Sequence, residues 1–447
     1  MRLALICLAV ATSTSVVGCV TAGSKGAVTN EVRRFTDPGV VRLAGSATQY
    51  WHDSDADLSD RGATLLTDAA VFVRPGLALG VIADVWRHSQ DQSQGSLFRF
   101  NSDTYTIGPS ATLFPLDAIP AARTRARRMS FAPYVSYSYT WSTNSADGHT
   151  QTGPATIQPF HMSAHWNESS GAVGSIFMLD PQVGVDLSVQ RRSLARHGTS
   201  EDPSVTYSFN GTFRETSLRL GVVTFLDTRR PAAAEDSPVL DITQRKVLRL
   251  SGTASVTSSR ESNSNTTTPG AASSEDLNAR METSLSYGVR RGLGLGLLLT
   301  HSWGHGHGVE LDWRGRWHAT GVGPIVTVFP FELCAATARL GKWHPYLGAS
   351  HAIDRNAWTS QSTVQVNGAS YMKSEDSGGT TTVSAGAIYM FSRRIGLDMA
   401  LDRRWYHANA ESIARYLPND PLSTSSSTLH EHRWELRVGI ATFLALH

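Results

Sequence analysis

The sequence predicts an all-β protein, an antiparallel up-and-down transmembrane β-barrel with sixteen strands in total. Three observations predict it. The first is period-two alternation: in FSRRIGLDMALDRR (Phe391–Arg404), Ile395, Leu397, Met399 and Leu401 fall on one face, with Gly396, Asp398, Ala400 and Asp402 on the other. Such a strand has one apolar face for lipid and one polar face for a lumen. The second is an internal repeat. LDPQVGVDLSVQRR (Leu179–Arg192) returns as that stretch, FVRPGLALGV (72–81) as GVRRGLGLGL (288–297), and IGPSATLFP (107–115) as VGPIVTVFP (322–330). APYVSY (132–137) returns as HPYLGA (344–349), VRLAGSA (41–47) as LRLSGTA (248–254), and LRLGVVTFL (218–226) as LRVGIATFL (436–444). Their order is kept, which predicts a tandem duplication. The third is composition: 447 residues, 40% hydrophobic but only 17% charged, with a net charge of +2. That charge supplies no field for nucleic acid.

The N-terminus reads as an export signal, residues 1–22, with Arg2 before the short apolar run Leu3–Val10. Val16-Val17-Gly18-Cys19 fits a lipobox, which makes Cys19 a lipidation candidate. Val20-Thr21-Ala22 fits ordinary cleavage as the alternative. Cys7 lies in the signal and Cys334 has no evident partner, so no disulfide framework is expected. No later apolar run is long enough for a spanning helix.

A polar lead-in (23–39) precedes the first unit, 40–226. Its eight strands are expected near 40–51, 63–73, 77–88, 104–114, 130–141, 171–179, 183–192 and 217–226. A linker, 227–246, leads to the second unit, 247–447. Strands are expected there near 247–256, 281–289, 293–303, 317–329, 343–352, 381–391, 395–405 and 434–444. Polar stretches such as 143–168, 257–280, 353–380 and 406–433 read as long loops at one rim. Arg74-Pro75-Gly76 and Asp180-Pro181-Gln182 read as tight turns at the other. A basic connection with Arg123, Arg125, Arg127 and Arg128 follows strand four; it is expected to be a solvated turn that could meet anionic headgroups. Phe114, Phe177, Phe225, Phe329, Tyr389, Phe391 and Phe443 are expected to form one aromatic girdle, and Trp51, Trp141, Trp303 and Trp405 the other. Trp86 points inward by alternation.

The unit resembles the eight-stranded outer-membrane β-barrel domain of Gram-negative envelopes. The likeness lies in a turn followed by a GLALG strand, a GP-centred fourth strand ending in an aromatic, a PY-containing fifth strand and a final LRxGxxTF strand. It covers 40–226 and 247–444. It implies location in the outer membrane, outer-membrane lipid and the barrel assembly machinery as partners, and no nucleic acid; a soluble partner is left open. The close on Phe443-Leu444-Ala445-Leu446-His447 departs from the usual terminal aromatic.

Two closures are open. One sixteen-stranded barrel is preferred, because one closed sheet needs no second seam; two eight-stranded barrels are the alternative. Either way Asp84, Asp186, Arg192, Arg219, Asp398, Arg404 and Arg437 are expected to face the lumen. They would pair in a narrow barrel, or line water and set charge preference in a wide one. His301, His305 and His307, followed by Glu310 and Asp312, read as a solvated histidine-rich loop rather than a metal site. His161, Ser163, His165 and Glu168 read as loop residues rather than a hydrolase group. No catalytic residue, metal or cofactor is assigned, and no enzyme activity is expected. The functional expectation is a passive porin-like channel or a surface-exposed structural barrel. Adhesion or envelope integrity is the alternative, and lipid modification the weakest.

Overall fold

The structure is a computed structural model. It describes residues 35–445 apart from 55–57, 93–97, 127–128, 154–155, 181, 203–204, 228–241, 244, 266–270, 309–312, 335–342, 363–370, 391–393 and 416–420. Cys19 and the signal, most of the lead-in and linker, Arg127, Arg128, Pro181, Glu310, Asp312 and Phe391 lie outside the described residues.

Sixteen strands form the wall. The first eight are β1 (Val40–Ser54), β2 (Leu58–Arg74), β3 (Leu77–Gln92), β4 (Phe98–Leu113), β5 (Phe131–Gly153), β6 (Thr156–Asp180), β7 (Val183–Asp202) and β8 (Val205–Asp227). The second eight are β9 (Val247–Asn265), β10 (Ala271–Arg290), β11 (Leu293–Gly308), β12 (Trp313–Val328), β13 (Trp343–Ser362), β14 (Tyr371–Met390), β15 (Ile395–Arg415) and β16 (Ser423–Ala445). Each pairs antiparallel with its sequence neighbours, and β16 pairs with β1, closing one sixteen-stranded barrel. Among the described residues no helix is long and apolar enough to cross a membrane, which says nothing of the strands.

The closure has a second feature. At the turn end β1 pairs with β8 (Val40–Leu43 against Asp227–Thr224), and β9 pairs with β16 (Val247–Leu250 against Ala445–Thr442). Toward the loop end β1 pairs with β16 from Ser46 onward, and β8 pairs with β9 up to Gly221. The barrel is therefore two closed eights at its base and one sixteen at its mouth. The two closures that the sequence left as alternatives occupy different heights of the same wall.

The strands are longer than alternation predicts. Residues 143–153 and 156–168, expected as parts of a loop, extend β5 and β6. Most of 257–280, 353–380 and 406–433 is likewise strand. β5 has 23 residues; at ~3.3 Å each and a tilt of ~45° it rises ~54 Å, well beyond a ~30 Å hydrocarbon core. In a strand that crosses such a core the excess would stand in water on both sides. There the backbone ladder continues while nothing selects apolar residues on either face, so alternation fades although the strand does not.

Turn-end geometry explains several motif residues. Gly76 and Gly292 hold φ of +76° and +75° in the turns after β2 and β10, a region where a side chain is strained. Gly108 and Gly323, of the GP pairs in β4 and β12, have no room for a Cβ. A carbon there would collide with the Tyr139 and His351 carbonyl oxygens respectively. On the β5 and β13 sides the ladder pairing skips Gly108-Pro109 and Gly323-Pro324, as expected where proline removes a donor. The basic connection begins with two short helices, α1 (Pro115–Ala118) and α2 (Pro120–Ala126), and β12 is followed by α3 (Pro330–Cys334).

Three apolar clusters organise the base. Phe35, Phe72, Phe114, Tyr134, Ile176 and Phe225 fill the first eight. Ile242, Val247, Phe329, Tyr346, Ile388, Met390 and Phe443 occupy the second. Val183, Leu248, Ile395 and Leu444, all on outward faces, pack where the two eights meet back to back. One girdle expectation is corrected here. Phe114, Phe225, Phe329 and Phe443 are at most 6% exposed and point inside, because each lies at the inward parity of its strand or just beyond its end. Phe177 and Tyr389 do face outward, ring-packed on Phe131 and Trp343. Trp141 and Trp405 are exposed toward the loop end. Trp86 shares the inward face with Gly80 and Asp84 and stacks on His88.

Candidate functional site

The lumen carries the polar chemistry, in layers set by strand parity. The lowest layer sits on the apolar clusters. In the first half the Tyr134 hydroxyl donates to Asp186 at 2.8 and 3.0 Å, and Arg42 pairs with Asp68 at 2.7 Å while also donating to Thr112. In the second half the Tyr346 hydroxyl donates to Asp398 at 2.8 Å. Asp398 also accepts from Arg249 and, at 3.0 Å, from Arg437, and Arg437 reaches Asp402 at 3.3 Å. The Arg249 guanidinium lies 5.5 Å from the Tyr346 ring centroid, a cation–π distance.

A second layer lies above. Arg192 clamps Glu168 with two hydrogen bonds of 2.7 Å and reaches Glu215 at 3.5 Å. Bidentate geometry makes this the stronger kind of ion pair. Asp84 and Arg219 lie within electrostatic range of that group; the Asp84 Oδ1 is buried and makes no hydrogen bond. In the second half Arg404 and Arg433 both reach Glu435 at 3.3 Å. Higher still, His88 Nδ1 lies 3.1 Å from Asp60 and 3.3 Å from the Tyr50 hydroxyl, with Arg433 4.0 Å from the Tyr50 ring centroid.

The seven charges named from sequence share the inward parity of their strands, and five have direct partners in ion pairs or hydrogen bonds: Asp186, Arg192, Asp398, Arg404 and Arg437. Their counterparts Arg42, Asp68, Tyr134, Glu215, Arg249, Tyr346, Arg433 and Glu435 were missed, whereas alternation places Asp402 with Asp398 on the polar face of its strand. Parity within VRLAGSA and LRLSGTA was enough to find Arg42 and Arg249. The PY motifs held Tyr134 and Tyr346. Glu168 was grouped with His161, Ser163 and His165, but it lies on the inward face of β6 and those three on the outward face, so they form no common site. His161 instead meets Asp147 at 2.5 Å. His301, His305 and His307 share the outward face of β11, and His301 bonds Thr320 at 2.8 Å. No group of three metal-ligating side chains occurs among the described residues.

The base of each half is closed by the segment that enters it. Phe35 is 2% and Ile242 4% exposed, each inside its apolar cluster. The Gly76 and Gly292 amides donate to the Thr36 and Thr243 carbonyls at 2.9 and 2.8 Å, and Gly39 and Lys246 donate to the Phe72 and Gly288 carbonyls. A cavity of about 20 Å³, bounded by Ile242, Phe329, Phe443 and Arg249, holds space for about one water.

No family model matches the chain, and no curated protein matches it. Among solved structures it is similar to the translocator domain of the autotransporter NalP from Neisseria meningitidis, at 10% identity over 97% of this chain and 96% of that one, TM-score 0.26. It is also similar to CdiB from Acinetobacter baumannii, at 9% identity over 89% of this chain and 60% of that one, TM-score 0.34. A third likeness is OccAB3 from Acinetobacter baumannii, at 9% identity over 90% and 99%, TM-score 0.26. At these TM-scores the likenesses carry no argument of their own. The closed barrel rests on the chain's own strand pairings.

Proposed function

We propose that the chain is an exported outer-membrane β-barrel of a Gram-negative envelope, a surface-exposed structural protein that conducts no steady ion current. The observation that carries this reading is the pair of apolar plugs, Phe35 among Phe72, Phe114 and Phe225, and Ile242 among Phe329, Met390 and Phe443. Ions cross a barrel through a continuous wet path, and a packed aromatic cluster with ion-paired layers above it leaves none. Exposed outward side chains such as Leu79, Val81, Ile107, Val173, Leu297 and Ile353 suit lipid contact. The long hairpins would then stand outside the cell as the surface for adhesion or envelope contacts.

In this reading the two halves descend from one duplicated eight-stranded unit. The recurrence of Tyr134–Asp186 as Tyr346–Asp398, and of the Thr36 and Thr243 plug bonds, supports that descent. Residues 1–22 direct export, Cys19 is the lipid-attachment site, the assembly machinery inserts the barrel, and no catalytic step is assigned. Planar-bilayer recording of the refolded chain tests the central claim. Silence in protein shown to be inserted and folded is expected; large, stable conductance steps would overturn it. A passive channel is the second reading, favoured by the open space at Gly221 and Gly439, where an added Cβ would meet nothing within 4 Å.

A further inference from the structure

The four strands at the waist each change partner partway along. β1 leaves β8 after Leu43 and joins β16 at Ser46; β9 leaves β16 after Leu250 and joins β8 at Thr253. β8 holds β9 up to Gly221 and β1 from Thr224, and β16 holds β1 up to Gly439 and β9 from Thr442. A glycine lies at or beside every change: Gly45, Gly221, Gly252 and Gly439. Glycine bends a strand at little steric cost, which a strand turning from one partner to another requires. The Gly221 and Gly439 positions are also sterically empty.

The outer neighbours do not change. β1 stays on β2, β8 on β7, β9 on β10 and β16 on β15 across the waist. Only the inner partner is exchanged, and the two candidates are alike in sequence: LRLGVVTFL against LRVGIATFL for β1, and VRLAGSA against LRLSGTA for β8. Continuing the β1–β8 register past Leu43 sets Ser46 against Gly221, Ala47 against Leu220 and Gln49 against Leu218. Continuing the β9–β16 register sets Thr253 against Gly439 and Val256 against Leu436. Residues of one strand parity meet residues of the matching parity in both pairings, so the exchange avoids the one-residue slip that would turn a strand inside out. Every ladder bond lost from one pairing is replaced in the other.

We propose that this junction slides. The crossing moves along the waist, trading β1–β16 and β8–β9 pairs for β1–β8 and β9–β16 pairs, so that the shared mouth shortens or lengthens over two closed bases. The inference rests on the strand pairings alone, whatever the barrel conducts.

Cross-linking tests it on the full chain refolded in micelles, with Cys7, Cys19 and Cys334 replaced by serine. Gln49→Cys with Leu436→Cys reports the pairing present in the structure, and Gln49→Cys with Leu218→Cys reports the split pairing. Val256→Cys with Leu436→Cys reports the split pairing on the opposite seam and serves if either of the other double variants fails to fold. Each is treated with an oxidant and with a short bismaleimide, and folding is checked by heat-modifiable gel mobility. A sliding junction yields both products, with the split link in about a tenth or more of the molecules, a gap of no more than about 1.4 kcal/mol. A Gln49→Cys/Leu436→Cys link with no split link on either seam would overturn the proposal. So would failure of every pair to link in folded protein. Conductance and cross-linking are read separately, so failure of one claim is distinguishable from failure of the other.

Discussion

The base and the mouth of this barrel are built by the same strands under different constraints. At the base sixteen strands close as two eights, each too narrow for a continuous water channel, and the interiors fill with rings, aliphatic chains and paired charges. At the mouth the same strands run as one sixteen with polar residues on both faces. An eight-stranded interior is just wide enough for side chains, whereas sixteen strands leave a lumen. The difference teaches that strand number is not a single property of this wall; it depends on height. Stability should be concentrated where the interior is filled, and substitutions should separate the two regions.

The largest effect is expected inside the plugs. Phe225→Ala and Phe443→Ala each remove a ring that is 1% exposed, at a cost of about 3–5 kcal/mol. His430→Ala, in the exposed His407–His430 pair of the mouth, should stay within about 0.5 kcal/mol. Urea midpoints for refolding into micelles measure both. Equal losses would mean that the base is no more a core than the mouth.

Next come the glycines. Gly323→Ala puts a methyl group against the His351 backbone carbonyl, and overpacking of this kind costs about 1–3 kcal/mol. Gly439→Ala enters open space and should change the same midpoint by less than about 0.5 kcal/mol. A loss at Gly439 as large as that at Gly323 would show the waist to be packed rather than open.

How much of this was legible in the sequence follows from where each physical constraint acts. Alternation is strict only where the two faces of a strand differ in polarity, so β7, β11 and β15 were legible at their bases and invisible in their halves that are polar on both faces. The inward charges Asp186 and Asp398 were legible because parity is local. Their partners Tyr134 and Arg249 sit on other strands, and only register brings them to the same height. The two closures were both legible as alternatives. Their coexistence was not, because it depends on where β1, β8, β9 and β16 change partner, and the repeat makes both partners equally suitable in sequence. The inward turn of Phe114 and Phe329 was missed because an aromatic at a strand end satisfies a membrane girdle and a plug equally well.

A smaller effect probes the polar floor above the plugs. Tyr346→Phe removes the hydroxyl that donates to Asp398, and Tyr134→Phe does the same for Asp186. Each leaves a carboxylate short of a donor, at a cost of about 1–3 kcal/mol. Asp398 keeps Arg249 and Arg437, whereas Arg42 is engaged with Asp68. The Tyr134→Phe loss should therefore be the greater of the two, and denaturation midpoints of the pair give the order directly.

The smallest effect has the opposite sign. Gly39 and Lys246 make matching plug bonds to Phe72 and Gly288, and both hold positive φ, 85° and 68°. A lysine in the left-handed region carries roughly 1–2 kcal/mol of strain that glycine escapes. Glycine loses more chain entropy on folding, which offsets part of the relief. Lys246→Gly should therefore raise the stability of the second base slightly, and Gly39→Ala should lower that of the first. Limited proteolysis at the turn end, compared across the two variants, would show whether each base opens as a separate unit. If Lys246→Gly also slowed cleavage in the first eight, the two bases would be one cooperative structure despite their separate closures.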